Sequence, residues 1–284
     1  MKPCSRATLT REMIVTGLPR GGTTLVAALI DASENALCLS EPPHHVDLHT
    51  RAGSADHFAE QVALDLRDLR VKLSQGGTVI DRRTADGKAV TNYFSGTRDD
   101  QNRPASYDLV EWRAPSVDKN TIIASKHNGL YLSALTEFAK TTLKIICVLR
   151  DPASAIRSWQ SIPDIPVSHG KMPAAEKFWP SIYNRTEITA SLLERQVLIC
   201  ESIFARIHNL GNRSITIKYE DIVQSPSSFF RKIGTHPTDA NIIHKPKLSE
   251  KSQISEDAIR DHIKHIIKKH SLTSIAHYYK AYKY

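Results

Sequence analysis

Residues 12–24 constrain this chain more than any other stretch. An apolar run, Glu12 to Thr16, ends in Gly17-Leu18-Pro19-Arg20-Gly21-Gly22-Thr23-Thr24, and from Thr23 to Ala32 the residues Leu25, Ala28, Leu29 and Ala32 recur at helical spacing. A strand, a glycine-rich loop and a helix in that order aim several backbone N–H groups and the positive helix end at one place, which suits a phosphate. The glycines allow close approach and unusual dihedrals. Gly17 and Gly22 stand at the spacing of G-x-x-x-x-G-K-[ST] and Thr24 supplies the final hydroxyl, but Thr23 takes the lysine position. Arg20 is the cation the loop itself offers. Kinases and ATPases use that lysine with Mg²⁺ to neutralise a triphosphate, so its absence points away from phosphoryl transfer.

Beyond the loop, short apolar runs alternate with helical patterns. Ala36 to Ser40 reads as a second buried strand, stopped by a turn at Pro42-Pro43. Phe58, Val62, Leu66 and Leu69 place an amphipathic helix over His57 to Leu73. From about 75 to 120 the pattern weakens into turn signals around β-prone runs such as Thr78 to Ile80, and we read an inserted loop region. Strands return at Thr121 to Ala124, Leu143 to Leu149 and Ser214 to Lys218, with helices expected over Leu130 to Phe138, after Pro152, and over Ser181 to His208. The alternation implies an α/β fold, a parallel sheet flanked by helices. One domain is expected over residues 1–284, with the insert at about 75–120 and a helical C-terminal extension.

Thirty-eight Lys and Arg against thirty Asp and Glu give a formal charge of +8, which favours anionic ligands without choosing among them. Cys4, Cys38, Cys147 and Cys200 show neither paired nor metal-ligand spacing and read as reduced thiols. No stretch approaches the ~20 apolar residues of a membrane span. We expect a cytoplasmic protein with no transmembrane segment and no nucleic-acid partner.

Pro19-Arg20-Gly21-Gly22-Thr23-Thr24 resembles the 5′-phosphosulfate loop of the sulfotransferase family, commonly Pro-Arg/Lys-Ser/Thr-Gly-Thr-Thr, with Gly21 where a hydroxyl residue is usual. Val148-Leu149-Arg150-Asp151-Pro152, with Ser158 eight positions after Arg150, looks like that family's 3′-phosphate site. Ile217-Lys218-Tyr219-Glu220-Asp221-Ile222 is similar to its Tyr-Glu-Asp-Leu segment and reads as structural. The resemblance spans about Met13 to Pro226, leaving the insert and the last sixty residues unmatched. It implies a P-loop NTPase-like three-layer sandwich that moves a sulfuryl group from 3′-phosphoadenosine 5′-phosphosulfate (PAPS) to a hydroxyl or amine of a carbohydrate or small metabolite. Arg20, Gly21, Gly22, Thr23, Thr24, Arg150 and Ser158 would hold the donor, and no metal would be required. The alternatives are a P-loop kinase and an inactive nucleotide-binding relative.

Sulfuryl transfer needs a base at the acceptor and cations at the sulfonate and leaving phosphate. Arg20 suits the leaving group, and Lys126, which resembles the lysine after a comparable strand in several branches of the family, suits the sulfonate or bridging oxygen. Glu41, in Leu39-Ser40-Glu41-Pro42, stands where the base lies in glycan and tyrosylprotein sulfotransferases. Lys126-His127 is similar to the Lys-x-His segment of aryl sulfotransferases with one residue missing. Glu41 is the preferred base, with a pKa expected to be raised in a dry pocket. His45 and His49 would share a helical face, but with His44 they lack the partners of a metal site and are expected to line the acceptor pocket. Near the C-terminus Ile259, Ile263, Ile266 and Ile267 fall on one helical face, as in a packed helix; a membrane-surface or polyanion-binding helix is the alternative.

Overall fold

The computed structural model describes residues 11–84, 87–90, 109–114, 117–183, 191–238 and 255–283. β1 (Glu12–Gly17) and α1 (Thr23–Asp31) flank the glycine loop, followed by β2 (Ala36–Ser40), α2 (Pro43–Arg51) and α3 (Ala55–Ser74). Next come β3 (Thr78–Arg82), β4 (Leu109–Arg113), β5 (Ile122–Lys126), α4 (Asn128–Ser133), α5 (Leu135–Phe138), β6 (Lys144–Leu149) and α6 (Pro152–Gln160). After these lie α7 (Pro173–Glu176), α8 (Leu192–His208), β7 (Ser214–Lys218), α9 (Tyr219–Gln224), α10 (Pro226–Ile233), α11 (Glu256–Lys269) and α12 (Ser274–Tyr278).

Five strands form one parallel sheet in the order β2-β5-β1-β6-β7. Both faces are covered, which explains why the strands read as continuous apolar runs rather than alternating ones. Met13, Val15, Ile146, Val148 and Ile217 pack with Val26, Leu29, Phe229 and Phe230 from α1 and α10. Ile14, Leu39, Ile123, Cys147 and Leu149 pack on the other side with Phe58, Val62, Ile156, Val197 and Phe204 from α3, α6 and α8. The result is three layers, as the alternating pattern implies.

Parallel strands bring their carboxyl ends to one edge: Gly17, Ser40, Lys126, Leu149 and Lys218. The chain reaches β5 on one side of β1 and β6 on the other, so the crevice where ligands bind in open α/β sheets lies beyond β1.

Four details differ from the sequence reading. Pro42 is extended, and Pro43 opens α2 instead of ending a strand in a turn, because proline is tolerated in a first helical turn. Ala134, at φ −118°, splits Leu130–Phe138 between α4 and α5. The long helix does not begin at Ser181: a 3₁₀ turn spans Pro180–Tyr183, and α8 starts after Ser191, whose hydroxyl accepts from Glu194 N at 3.2 Å. Ile188, expected to pack on that helix, lies outside the described residues. Within the insert, β3 and β4 pair antiparallel. No helix among the described residues is long and apolar enough to cross a membrane.

Candidate active site

The loop after β1 is strapped to the neighbouring strand. Leu18 N donates to Val148 O at 2.9 Å, and Gly21 N donates to Leu18 O at 2.8 Å. Gly17 has φ +143°, and a Cβ there would lie 2.1 Å from Val148 O. Gly22 has φ +94° and caps α1 with no side-chain bond, leaving the first-turn N–H groups facing the loop. At Gly21 a Cβ would meet Leu18 O at 2.6 Å, so a side chain there would force this tight turn to shift. Thr23 is buried and Thr24 half-buried at the start of α1.

The two segments expected to hold phosphates meet. Arg20 Nε donates to Ser158 Oγ at 3.2 Å, and Arg150 Nη1 donates to Arg20 O at 3.1 Å. Trp159 Nε1 donates to Pro19 O at 2.8 Å, tying α6 to the loop. The Arg150 guanidinium lies 4.7 Å from the centre of the Tyr219 ring, and Tyr219 Cδ2 lies 2.4 Å from where a Cβ on Gly22 would sit. Burial, and then the charge of Arg150, lower the Arg20 pKa to about 10, which leaves it cationic at neutral pH. Two arginines on one glycine-lined cradle suit an anion of more than one charge.

A second group forms at the ends of β2 and β5, whose register pairs Ser40 with Lys126. Lys126 is 1% exposed, and its Nζ donates to Glu41 Oε1 at 2.6 Å. Arg82 Nε stands 3.6 Å from Glu41 Oε2. Glu41 N donates to Lys126 O at 2.9 Å, which holds Glu41 at φ +53°. Arg20 shares this left-handed conformation at φ +59°. Such strain is uncommon for residues with side chains and concentrates where geometry serves function. His127 N donates to Val15 O at 3.1 Å, which sets the imidazole beside the end of β1; its buried Nδ1 has no hydrogen-bond partner. Glu41, Pro43, Val46, Asp47, Arg82, Leu109 and His127 line a pocket of about 220 Å³. A larger cavity of about 350 Å³, bordered by Thr136, Trp179 and Arg206, contains none of these groups.

The electrostatics of Glu41 run opposite to the sequence expectation. Burial raises its pKa, but Lys126, His127 and Arg82 together outweigh burial and hold the carboxyl at about 2. Burial, with Lys126 nearby, lowers His127 to about 4, against the pull of Glu41, so the ring is neutral at physiological pH.

The three other histidines do not line this pocket. His45 and His49 face inward from α2: His45 meets Tyr131 at 2.6 Å through Nδ1 and Asp65 at 2.8 Å through Nε2, and His49 meets Ser133 at 3.2 Å. Helical spacing put them on one face as expected, but that face packs against α3 and α4. His44 also reaches Asp65, at 3.0 Å. The ligand atoms of His44, His45 and Asp65 lie within 4.8 Å of one another, a cluster of metal-binding residue types in which each ligand atom already has a hydrogen-bond partner.

Two residues missed in the sequence complete the site. Arg82 comes from a β-prone run of the insert, with nothing in its spacing to connect it to Glu41. Tyr219 lies in a segment noted for its resemblance and read as structural. Its position after a strand was the available signal, since every strand of this sheet ends at the same edge.

The model of the sulfotransferase family matches residues 13–237. No curated protein matches the chain in sequence. Among solved structures, the sulfotransferase domain from the curacin biosynthetic pathway is 13% identical, with 87% of this chain and 81% of that one covered, at a TM-score of 0.39. A sulfotransferase from Mycobacterium avium is 14% identical, with coverage of 93% and 76% and a TM-score of 0.39. The sulfotransferase domain from the Synechococcus PCC 7002 olefin synthase is 16% identical, with coverage of 92% and 88% and a TM-score of 0.38.

Proposed function

Since the chain belongs to the sulfotransferase family, we propose that it uses PAPS as donor and a hydroxyl or amine of a carbohydrate or small metabolite as acceptor. The observation that carries this reading is the 3.2 Å bond from Arg20 to Ser158, which brings side by side two segments 138 residues apart, each with residues suited to one phosphate. A donor with separate 5′ and 3′ phosphates calls for such a double site.

The residues fit that donor. Backbone N–H groups of Gly21, Gly22, Thr23 and Thr24 and the guanidinium of Arg20 would hold the phosphosulfate end. Arg150 and Ser158 would hold the 3′-phosphate. When bound, the donor supplies a sulfonate on a phosphate leaving group. Arg20 stabilises the charge that grows on the leaving oxygen, and Lys126 the charge on the sulfonate.

Glu41 is our preferred base. Tied to Lys126 it is too weakly basic to take a proton from an alcohol, but an anion in the loop competes for the Lys126 ammonium. Freed from that partner, the carboxylate is pushed upward by burial and gains basicity as the acceptor arrives beside it. His127 lines the same pocket as a neutral imidazole and is the second candidate. We treat the chain as one domain around this site, with the β3–β4 insert and the C-terminal helices as additions to it.

Comparing 3′,5′-adenosine bisphosphate with ATP plus Mg²⁺ in thermal unfolding tests the donor class, because ligands of the folded state raise the midpoint. The bisphosphate should raise it without metal. A response to ATP plus Mg²⁺ alone would overturn the proposal in favour of a kinase.

A further inference from the structure

The family match ends at residue 237, yet residues 255–283 pack against the donor side of the site. α11 buries Ile259, Ile263, Ile266 and Ile267 against α6 and α8, so the packed-helix reading of this segment holds. Glu201 of α8, 2% exposed, accepts the backbone N–H groups of Thr273 at 3.1 Å, Ser274 at 2.8 Å and Ile275 at 2.8 Å. That carboxylate caps α12 and fixes the direction in which the chain returns to the sheet edge.

Two tyrosines then reach the strand-end turns. The Tyr279 hydroxyl donates to Glu220 Oε2 at 2.9 Å, and the Tyr282 hydroxyl donates to Asp151 Oδ2 at 3.0 Å. Ala153 N donates to the Tyr282 oxygen at 3.3 Å. Glu220 Oε1 accepts from Asp151 N at 2.9 Å, joining the turn after β6 to the turn after β7. Asp151 Oδ1 caps α6 through Ser154 N at 3.1 Å and stands 3.7 Å from Arg260 of α11. Asp151 directly follows Arg150, and Glu220 directly follows Tyr219. The two carboxylates therefore anchor the turns that carry Arg150 and Tyr219.

We infer that Tyr279 and Tyr282 are positioning residues for donor binding, holding Arg150 and Tyr219 against the glycine loop through Asp151 and Glu220. The inference rests on the donor reading above. Arg150 stacks on Tyr219, and Tyr219 occupies the space over Gly22, so the two turns must keep their spacing for the guanidinium to face the loop. Hydroxyl bonds to carboxylates are directional and of the stronger, charge-assisted kind, which lets two phenols set that spacing. Burial pushes both phenols well above their ordinary pKa, so both remain donors at every pH at which the protein is handled.

The test is calorimetric titration of 3′,5′-adenosine bisphosphate into wild type, Tyr279→Phe/Tyr282→Phe, Arg150→Met and the triple variant. Phenylalanine keeps the packed rings and removes only the hydroxyls. The double variant should bind roughly tenfold more weakly, and its loss should vanish in the Arg150→Met background. Wild-type affinity in the double variant, or an equal loss with and without Arg150, overturns the positioning role alone. Absence of binding by wild type overturns the donor reading and the inference with it.

Discussion

At the scale of single residues, Glu41, the proposed base, carries the largest correction. A buried carboxylate suggested a raised pKa, but Lys126 at 2.6 Å and Arg82 at 3.6 Å reverse the sign and hold it at about 2. Its folded value lies below its ordinary 4.5, so the ionised form stabilises the fold above that pH, and the contribution is lost as pH falls toward 2. In Lys126→Met the lowering charge is gone and burial acts with less opposition. The acid limb of kcat/KM should then move up by about one pH unit or more, whatever happens to the maximum rate. Glu41→Gln should lose turnover by roughly a hundredfold or more, the usual scale for a general base. A pH–rate series on the three proteins checks both, and retained turnover in Glu41→Gln with loss in His127→Ala would move the base to His127.

Among elements, the β3–β4 hairpin shows how an insert is drawn into the site. β2 is an edge strand, and its outward N–H groups at Cys38 and Ser40 are taken by Asp31 at 3.0 Å and Asp81 at 2.9 Å. Arg83 bridges those two carboxylates, at 2.8 Å from Asp31 and 2.9 Å from Asp81, and its guanidinium lies over the Trp112 ring. This blunts the edge and brings Arg82, one residue earlier, to Glu41. Arg83→Met leaves Asp81 buried and short of a counter-charge, which should cost about 3–5 kcal/mol in denaturant unfolding. A much smaller loss would mean that the hairpin is held by packing alone. The strands on either side of the insert were legible because both faces of the sheet are apolar. The hairpin's attachment was not, because it depends on carboxylates from two distant segments.

Over the whole molecule, the terminal helices share one cluster of buried side chains with the α3, α6 and α8 side of the sheet, in which Ile263 of α11 meets the same core as Ile156 and Val197. Ile263→Ala should therefore lower stability by about 2–5 kcal/mol and keep a single transition in calorimetry, since the helix belongs to the cooperative unit. Two separated transitions would show the terminal helices folding apart from the sheet. The amino-acid sequence by itself determined the alternation of strand and helix, the glycine loop without its lysine, and the Arg150-to-Ser158 spacing, since each is a matter of local periodicity or of residues close in the chain. Only the tertiary structure decided which cations meet Glu41, that His45 and His49 turn into the core, and that Tyr279 and Tyr282 reach the turns behind Arg150. Those outcomes depend on strand order and helix packing, which bring together residues with no fixed separation along the chain, and on burial, which sets the sign of each charge's effect.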